Sequence, residues 1–258
     1  MRRTLGSAFV LLVLVAPATA QAGEVSGALV SCTGGDFCRY FPEPRLEVTF
    51  RAAPGERNEL SIRPNPDGVR IVDAGAGIEP RAFCTAVDAN AAQCGPQPAA
   101  GLIATARTGD GADSAFADIG SVFLGRGDDH GIAEGASLYG GPGNDRLLSA
   151  TSGNSLEGGA GRDYLTGTNA DELLIGGSGK DRLVARGGID HIEGGPGADF
   201  VAGGARRDRI YAGSGDDVIH AADPHRDVVR CGRGNDRAVV RANDRVFGCE
   251  RVIYRELG

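Results

Sequence analysis

Gly140-Gly141-Pro142-Gly143-Asn144-Asp145-Arg146-Leu147 is the stretch on which the reading of this 258-residue chain turns. Its pattern Gly-x-Gly-x-Asp occurs eight times, closing on Asp113, Asp129, Asp145, Asp163, Asp181, Asp199, Asp217 and Asp236. Successive aspartates are 16, 16, 18, 18, 18, 18 and 19 residues apart, a phase that chance does not keep and that marks a repeat architecture. Two glycines before a carboxylate make a tight turn whose backbone carbonyls can converge on one point. A hard cation such as calcium binds a convergence of carbonyl and carboxylate oxygens. The eight aspartates are therefore candidate metal ligands, with the backbone carbonyls of Gly141, Gly143, Gly159, Gly161, Gly177, Gly179, Gly195 and Gly197 beside them.

Between Asp145 and Asp217 each 18-residue unit divides into two nines, with Asn154, Asp171, Asp190 and Asp208 at the midpoints. Apolar residues follow the same beat: Leu147, Leu156, Leu165, Leu173, Leu183, Ile192, Val201, Ile210 and Ile219. One apolar residue per nine, with outward neighbours, describes a very short strand with a single inward side chain. Two strands and two turns per unit describe one coil of a parallel solenoid, its coils stacked at the inter-strand distance of about 4.8 Å.

The segment resembles the calcium-binding nonapeptide of RTX (repeats-in-toxin, hemolysin-type) proteins, GGxGxDxUx. The match is close at residues 140–147, 158–165, 176–183 and 194–201 and loosens towards both ends of 108–237. The resemblance implies an all-β protein, a right-handed parallel β-roll with Ca²⁺ held between turns of neighbouring coils. The charge spacing leads to the expectation that ion binding decides whether 108–237 folds. Carboxylates about 4.8 Å apart repel by about 1 kcal/mol in water and about 3.5 kcal/mol at an effective dielectric of 20, and a bridging cation reverses that sign. A metal-free solenoid, with Gly and Asp as mere turn residues, is the alternative.

All eight Gly-x-Gly-x-Asp units fall on one edge. The opposite edge reads, for example, Ala185-Arg186-Gly187-Gly188-Ile189-Asp190 and Gly203-Gly204-Ala205-Arg206-Arg207-Asp208, without the full set of glycines. One well-formed ion file and one weaker edge, at Asp171, Asp190 and Asp208, are expected, with Arg206 and Arg207 neutralising Asp208 in place of a metal.

Residues 1–22 have the parts of a secretory signal peptide: Arg2 and Arg3, an apolar run over 5–15, and small residues at 18–22. The run is too short to span a bilayer. Removing the segment, with its two arginines and no acids, moves the formal charge from −7 to −9, a balance that argues against nucleic acid as a partner and for cations. The six cysteines fall into close pairs, Cys32 with Cys38, Cys84 with Cys94 and Cys231 with Cys249, which read as disulfides in an exported chain. Residues 23–107 are expected to form a small β region, a cap or a binding module, with a hairpin turning at Asn65-Pro66-Asp67-Gly68 and strands near 27–30, 46–50 and 102–106. The roll follows over 108–230, and 231–258 is a disulfide-closed cap, since solenoids need their ends covered.

No HExxH and no Gly-x-Ser-x-Gly occur, and the P-loop and dinucleotide-loop matches are incomplete. The expectation is a secreted, non-catalytic calcium-binding module in an extracellular structural or surface-associated role, with contact to polysaccharide as a further option. The alternative is a lyase- or epimerase-like enzyme acting on polysaccharide from the flat face, with Tyr164, Tyr211, Glu157 and Glu193 as its nearest candidates.

Overall fold

The computed structural model describes residues 22–30, 45–51, 57–65, 68–73, 77–80, 84–88, 91–94, 102–118, 120–151 and 153–256. The expected signal peptide lies outside them except for Ala22, and so do Cys32 and Cys38. All regular structure among the described residues is strand.

From residue 102 onward each coil lays one strand on each of two parallel sheets. Leu173–Gly179 pairs in register with Ser155–Gly161 on one side and His191–Pro196 on the other. In the opposite sheet Arg182–Val184 sits between Tyr164–Thr166 and Phe200–Ala202. The sheets are 12- and 13-stranded, and the core is the narrow layer between them. Leu138, Leu156, Leu174, Ile192, Ile210 and Val229 line one side, and Leu147, Leu165, Leu183, Val201, Ile219 and Ala238 the other, all fully buried. Burial of each Leu, Ile or Val contributes about 1.5–3 kcal/mol.

The strands carry two inward positions where the sequence suggests one. In most coils the second holds a small residue, such as Gly140, Gly158 or Ala212 in the first sheet and Ala133, Ala185 or Ala221 in the second, which keeps the layer narrow. One 16-residue coil differs: Leu124, two residues after the buried Val122, stands where the next coil has Gly140, and Gly131 takes the large position opposite. A Cβ on Gly131 would approach Leu138 Cδ1 to 2.8 Å and Leu124 Cδ1 to 3.3 Å.

The midpoint register differs by one residue in a single coil. Asn154 is followed 18 residues on by Glu172, not Asp171, and Leu156 by Leu174, not Leu173. Asp171 is exposed and Leu173 half-buried, while Glu172 and Leu174 take the inward places. The doublets Asp171-Glu172 and Leu173-Leu174 each offer two chemically equivalent choices, and in-register pairing with the neighbouring coils decides between them.

The amino-terminal strands belong to the same two sheets. Arg45–Arg51 pairs in parallel with Leu102–Arg107, and Glu59–Asn65 with Ser114–Ala117, so both sheets continue across residue 107. Beyond them antiparallel pairing enters, Ala22–Val30 against Arg45–Arg51 and Glu59–Asn65 against Gly68–Asp73 with Ile62 opposite Ile71, while Gly77–Pro80 pairs in parallel with Ala22–Val30. The strands Cys84–Asp88 and Ala91–Cys94 pair with Cys84 opposite Cys94. At the other end Arg245–Phe247 and Arg251–Tyr254 complete the last coil. The Cys231–Cys249 disulfide, with Cα atoms 5.1 Å apart, ties that coil to the one before it.

The register of the 171–174 coil is open to test. Leu174→Ala should lower the unfolding free energy by about 2–5 kcal/mol, the range of large-to-small core changes, and Leu173→Ala by clearly less, as read by urea denaturation in saturating calcium.

Candidate metal-binding edges

The turn that closes each coil is held open by glycine for a measurable reason. Gly141 and Gly143 have φ of 108° and 155°. At the equivalent positions one coil on, a Cβ on Gly159 would lie 2.2 Å from the Gly141 carbonyl oxygen, and one on Gly161 1.7 Å from that of Gly143. Both ladders of carbonyls run along the edge from Gly109 and Gly111 to Gly232 and Gly234. The first glycine of the pair has a different cause: a Cβ on Gly140 would overlap Asp145 Oδ2 at 2.2 Å, so the carboxylate of a turn lies over the glycine that opens it.

Each aspartate of this edge is engaged through one oxygen only. Its Oδ1 accepts a hydrogen bond from the backbone N–H of the aspartate one coil back: Asp129 from Asp113 at 2.7 Å, Asp145 from Asp129 at 2.9 Å, Asp163 from Asp145 and Asp181 from Asp163 at 2.8 Å. Asp199, Asp217 and Asp236 continue the file at 2.8–2.9 Å. Asn58 starts it, donating its amide to Asp113 Oδ1 at 2.8 Å, and Glu250 ends it by accepting from Asp236 N–H at 2.9 Å. The other oxygen, Oδ2, is buried and without a hydrogen-bond partner in all eight aspartates.

Burial raises the carboxyl pKa values in consequence. Asp145 and Asp199 are pushed up to about 7, and Asp129, Asp163 and Asp217 to about 6, by burial first and neighbouring carboxylates second, against the lowering effect of the amide each accepts. Asp113, Asp181 and Asp236 are raised for the same leading reason. A buried anionic oxygen without a partner is costly, and a cation supplies what it lacks. Among the described residues no three His, Cys, Asp or Glu side chains cluster as a ligand set. Each turn brings one buried carboxylate, so a cation held here would take its remaining oxygens from main-chain carbonyls, which a hard cation accepts.

The opposite edge is built in the same way over its carboxy-terminal half. Asp208 Oδ1 accepts from Asp190 N–H at 3.0 Å, Asp227 from Asp208 at 2.9 Å and Asp244 from Asp227 at 3.0 Å. Oδ2 of Asp190, Asp208 and Asp227 is buried and partnerless, and burial foremost pushes their carboxyls up to about 7, 7 and 8. Glu172 stands in line where Asp171 was expected, donating its amide to Asp190 Oδ1 at 2.8 Å. Arg206 and Arg207 do not neutralise Asp208: both are exposed, and the Arg206 amide instead donates to Asp223 Oδ2. The turns keep their shape without the glycine signature, because Arg186 and Arg206 themselves adopt φ of 76° and 86°. Asp227 was missed as a ligand, although its 19-residue spacing from Asp208 repeats that between Asp217 and Asp236.

The family model of the RTX calcium-binding nonapeptide repeat matches residues 139–171, 150–183, 175–205, 193–223 and 203–238. Residues 139–238 are an RTX repeat array. RTX nonapeptide repeats bind Ca²⁺, and the RTX array here presents the oxygens for it. No curated protein matches this chain.

The four enzyme candidates do not meet in one place. Tyr164 lies on the second sheet, and the others on the first. Glu157 and Glu193 share a row, with Ile175 between them. Glu193 pairs in register with Tyr211, and its Oε1 is 2.7 Å from His191 Nε2 on an exposed surface.

Two outcomes follow from the edge geometry. Gly161→Ala should abolish cooperative folding of the array, whereas Gly153→Ala, with nothing within 4 Å of its Cβ, should cost only about 1–3 kcal/mol for its φ of 77°; thermal melts in calcium distinguish them. The metal-free roll is favoured at low pH. Carboxyls whose folded pKa is raised stabilise it fully below their unfolded value near 4, and that contribution is lost as pH rises through about 6–7. The β signal of metal-stripped protein should therefore fall between pH 5 and 8, while calcium affinity rises over the same window and binding releases protons.

Proposed function

We propose that this chain is a secreted calcium-binding β-roll without catalytic activity, serving as an extracellular structural or surface-associated module. The supporting observation is the buried, partnerless Oδ2 repeated at Asp113, Asp129, Asp145, Asp163, Asp181, Asp199, Asp217 and Asp236. These carboxylates, with the carbonyls of the glycine ladders that include Gly141, Gly143, Gly159, Gly161, Gly177, Gly179, Gly195 and Gly197, would hold Ca²⁺. Asp190, Asp208 and Asp227 would form a second, shorter file. Bound calcium supplies positive charge where the fold stacks negative charge.

The residues themselves do the positioning. Each Oδ1–amide bond fixes its carboxylate, and the glycines admit the carbonyls of the neighbouring coil. Coupling of ion binding to folding follows, because the stacked turns that create the site exist only in the folded roll. Affinity in the extracellular range, about 10⁻⁴–10⁻³ M, would order the array outside a cell. The apolar run at residues 5–15 behind Arg2 and Arg3 supports export, and no described helix is long and apolar enough to cross a membrane.

Adding millimolar calcium to chelated protein should raise the β signal in circular dichroism, with bound metal measurable by calorimetry. Asp181→Asn should weaken that binding. An unchanged spectrum together with no bound metal would overturn the reading.

A further inference from the structure

The two outer faces of the roll differ in their acids, the first sheet carrying Glu157 and Glu193 on its strands. The nine strands of the second sheet from Ser114–Ala117 to Arg251–Tyr254 contain no Asp or Glu, in a chain of formal charge −7. In-register pairing sets Arg146, Tyr164, Arg182 and Phe200 side by side in successive coils, and Arg237 and Arg251 continue the same row. These arginines are exposed, and none forms an ion pair among the described residues.

The rings hold the guanidinium groups. Arg182 Cζ lies 4.1 Å from the Phe200 ring centroid and 5.8 Å from that of Tyr164, and Arg146 Cζ lies 5.1 Å over Tyr164. A guanidinium stacked on an aromatic face keeps its N–H edge free for a planar anion and loses less freedom on binding one. Two other groups on this face feel the same field. The Tyr164 hydroxyl pKa is lowered, by its hydrogen bond from Arg182 first and with Arg146 adding. His220 is lowered by burial and then by Arg237, Arg255 and Arg182.

Shape selects among anions. Strands of three or four residues give a lane about 10–13 Å wide, and the six steps from Arg146 to Arg251 give it a length of about 29 Å. The basic row is a single file of side chains running along the stack, a footprint that a single polymer strand matches and a duplex or a bilayer does not. Nucleic acid single strands gain affinity by stacking bases on free aromatic faces, whereas guanidinium groups cover the Tyr164 and Phe200 rings. Carboxylates match the arginine fork directly, and a pyranose unit advances its polymer by a distance close to the rung spacing.

We propose that the Arg146–Arg182–Arg237–Arg251 row binds a single chain of a carboxylate-bearing polysaccharide laid across the coils. The site requires the folded roll but no particular calcium ligand, so it is tested on full-length protein in saturating calcium, with circular dichroism confirming the fold of each variant. A hyaluronan decasaccharide should bind with an affinity that falls as salt rises, and the Arg146→Gln/Arg182→Gln double variant should weaken it at least about tenfold, the loss expected for charge-assisted hydrogen bonds. Arg230→Gln, on the opposite sheet, should leave it unchanged. No binding by the folded protein, equal binding by the double variant, or tighter binding of single-stranded DNA or phosphatidylserine vesicles would overturn the proposal.

Discussion

A carboxylate oxygen that nothing in the protein satisfies, repeated once per coil and sealed from water, is the constraint around which this molecule is arranged. Every aspartate of the main edge has its Oδ1 bonded to a backbone amide of the preceding coil and its Oδ2 left over. The bond fixes the side chain in place, and the fixed side chain prevents the free oxygen from swinging out to solvent. At Gly140, Gly158, Gly176 and Gly194 a further glycine opens the turn, and Oδ2 lies in the volume that a Cβ would need there. Chemistry and backbone conformation are thus two aspects of one packing decision, and the aliphatic files between the sheets supply the rest of the stability.

The parts of this design that were legible in the sequence are those that sterics write into residue identity. Gly159 and Gly161 cannot be replaced without striking a carbonyl, so the first edge announces itself. The second edge performs the same amide-to-carboxylate stacking with Ala185, Arg186 and Arg206 at the turn positions, and its strained φ values have no signature that a pattern can detect. Equivalent neighbours also hide register: Asp171 and Glu172, or Leu173 and Leu174, are interchangeable until a pairing partner is known.

Asn58 was invisible for another reason. It opens the file 55 residues before Asp113, out of phase with the repeat, because the four strands between Gly68 and Cys94 are inserted into what is otherwise one more coil. The composition shift near residue 107 therefore records a change in how strands are connected, while the two sheets run straight through it. The acid-free face is likewise hidden in the linear chain, since its arginines alternate along it with the acids of both edges.

The amide-to-carboxylate file has a direction, each coil being completed by the one that follows it. Asp236 relies on Glu250, just as Asp113 relies on Asp129. An array cut at any coil would therefore expose the same defect, one dangling N–H in each file it cuts, whatever its length. Gain or loss of whole repeats during evolution leaves the junction chemistry unaltered, provided that a terminal acid and its tether, here Glu250 beside the Cys231–Cys249 bond, travel with the carboxy-terminal end.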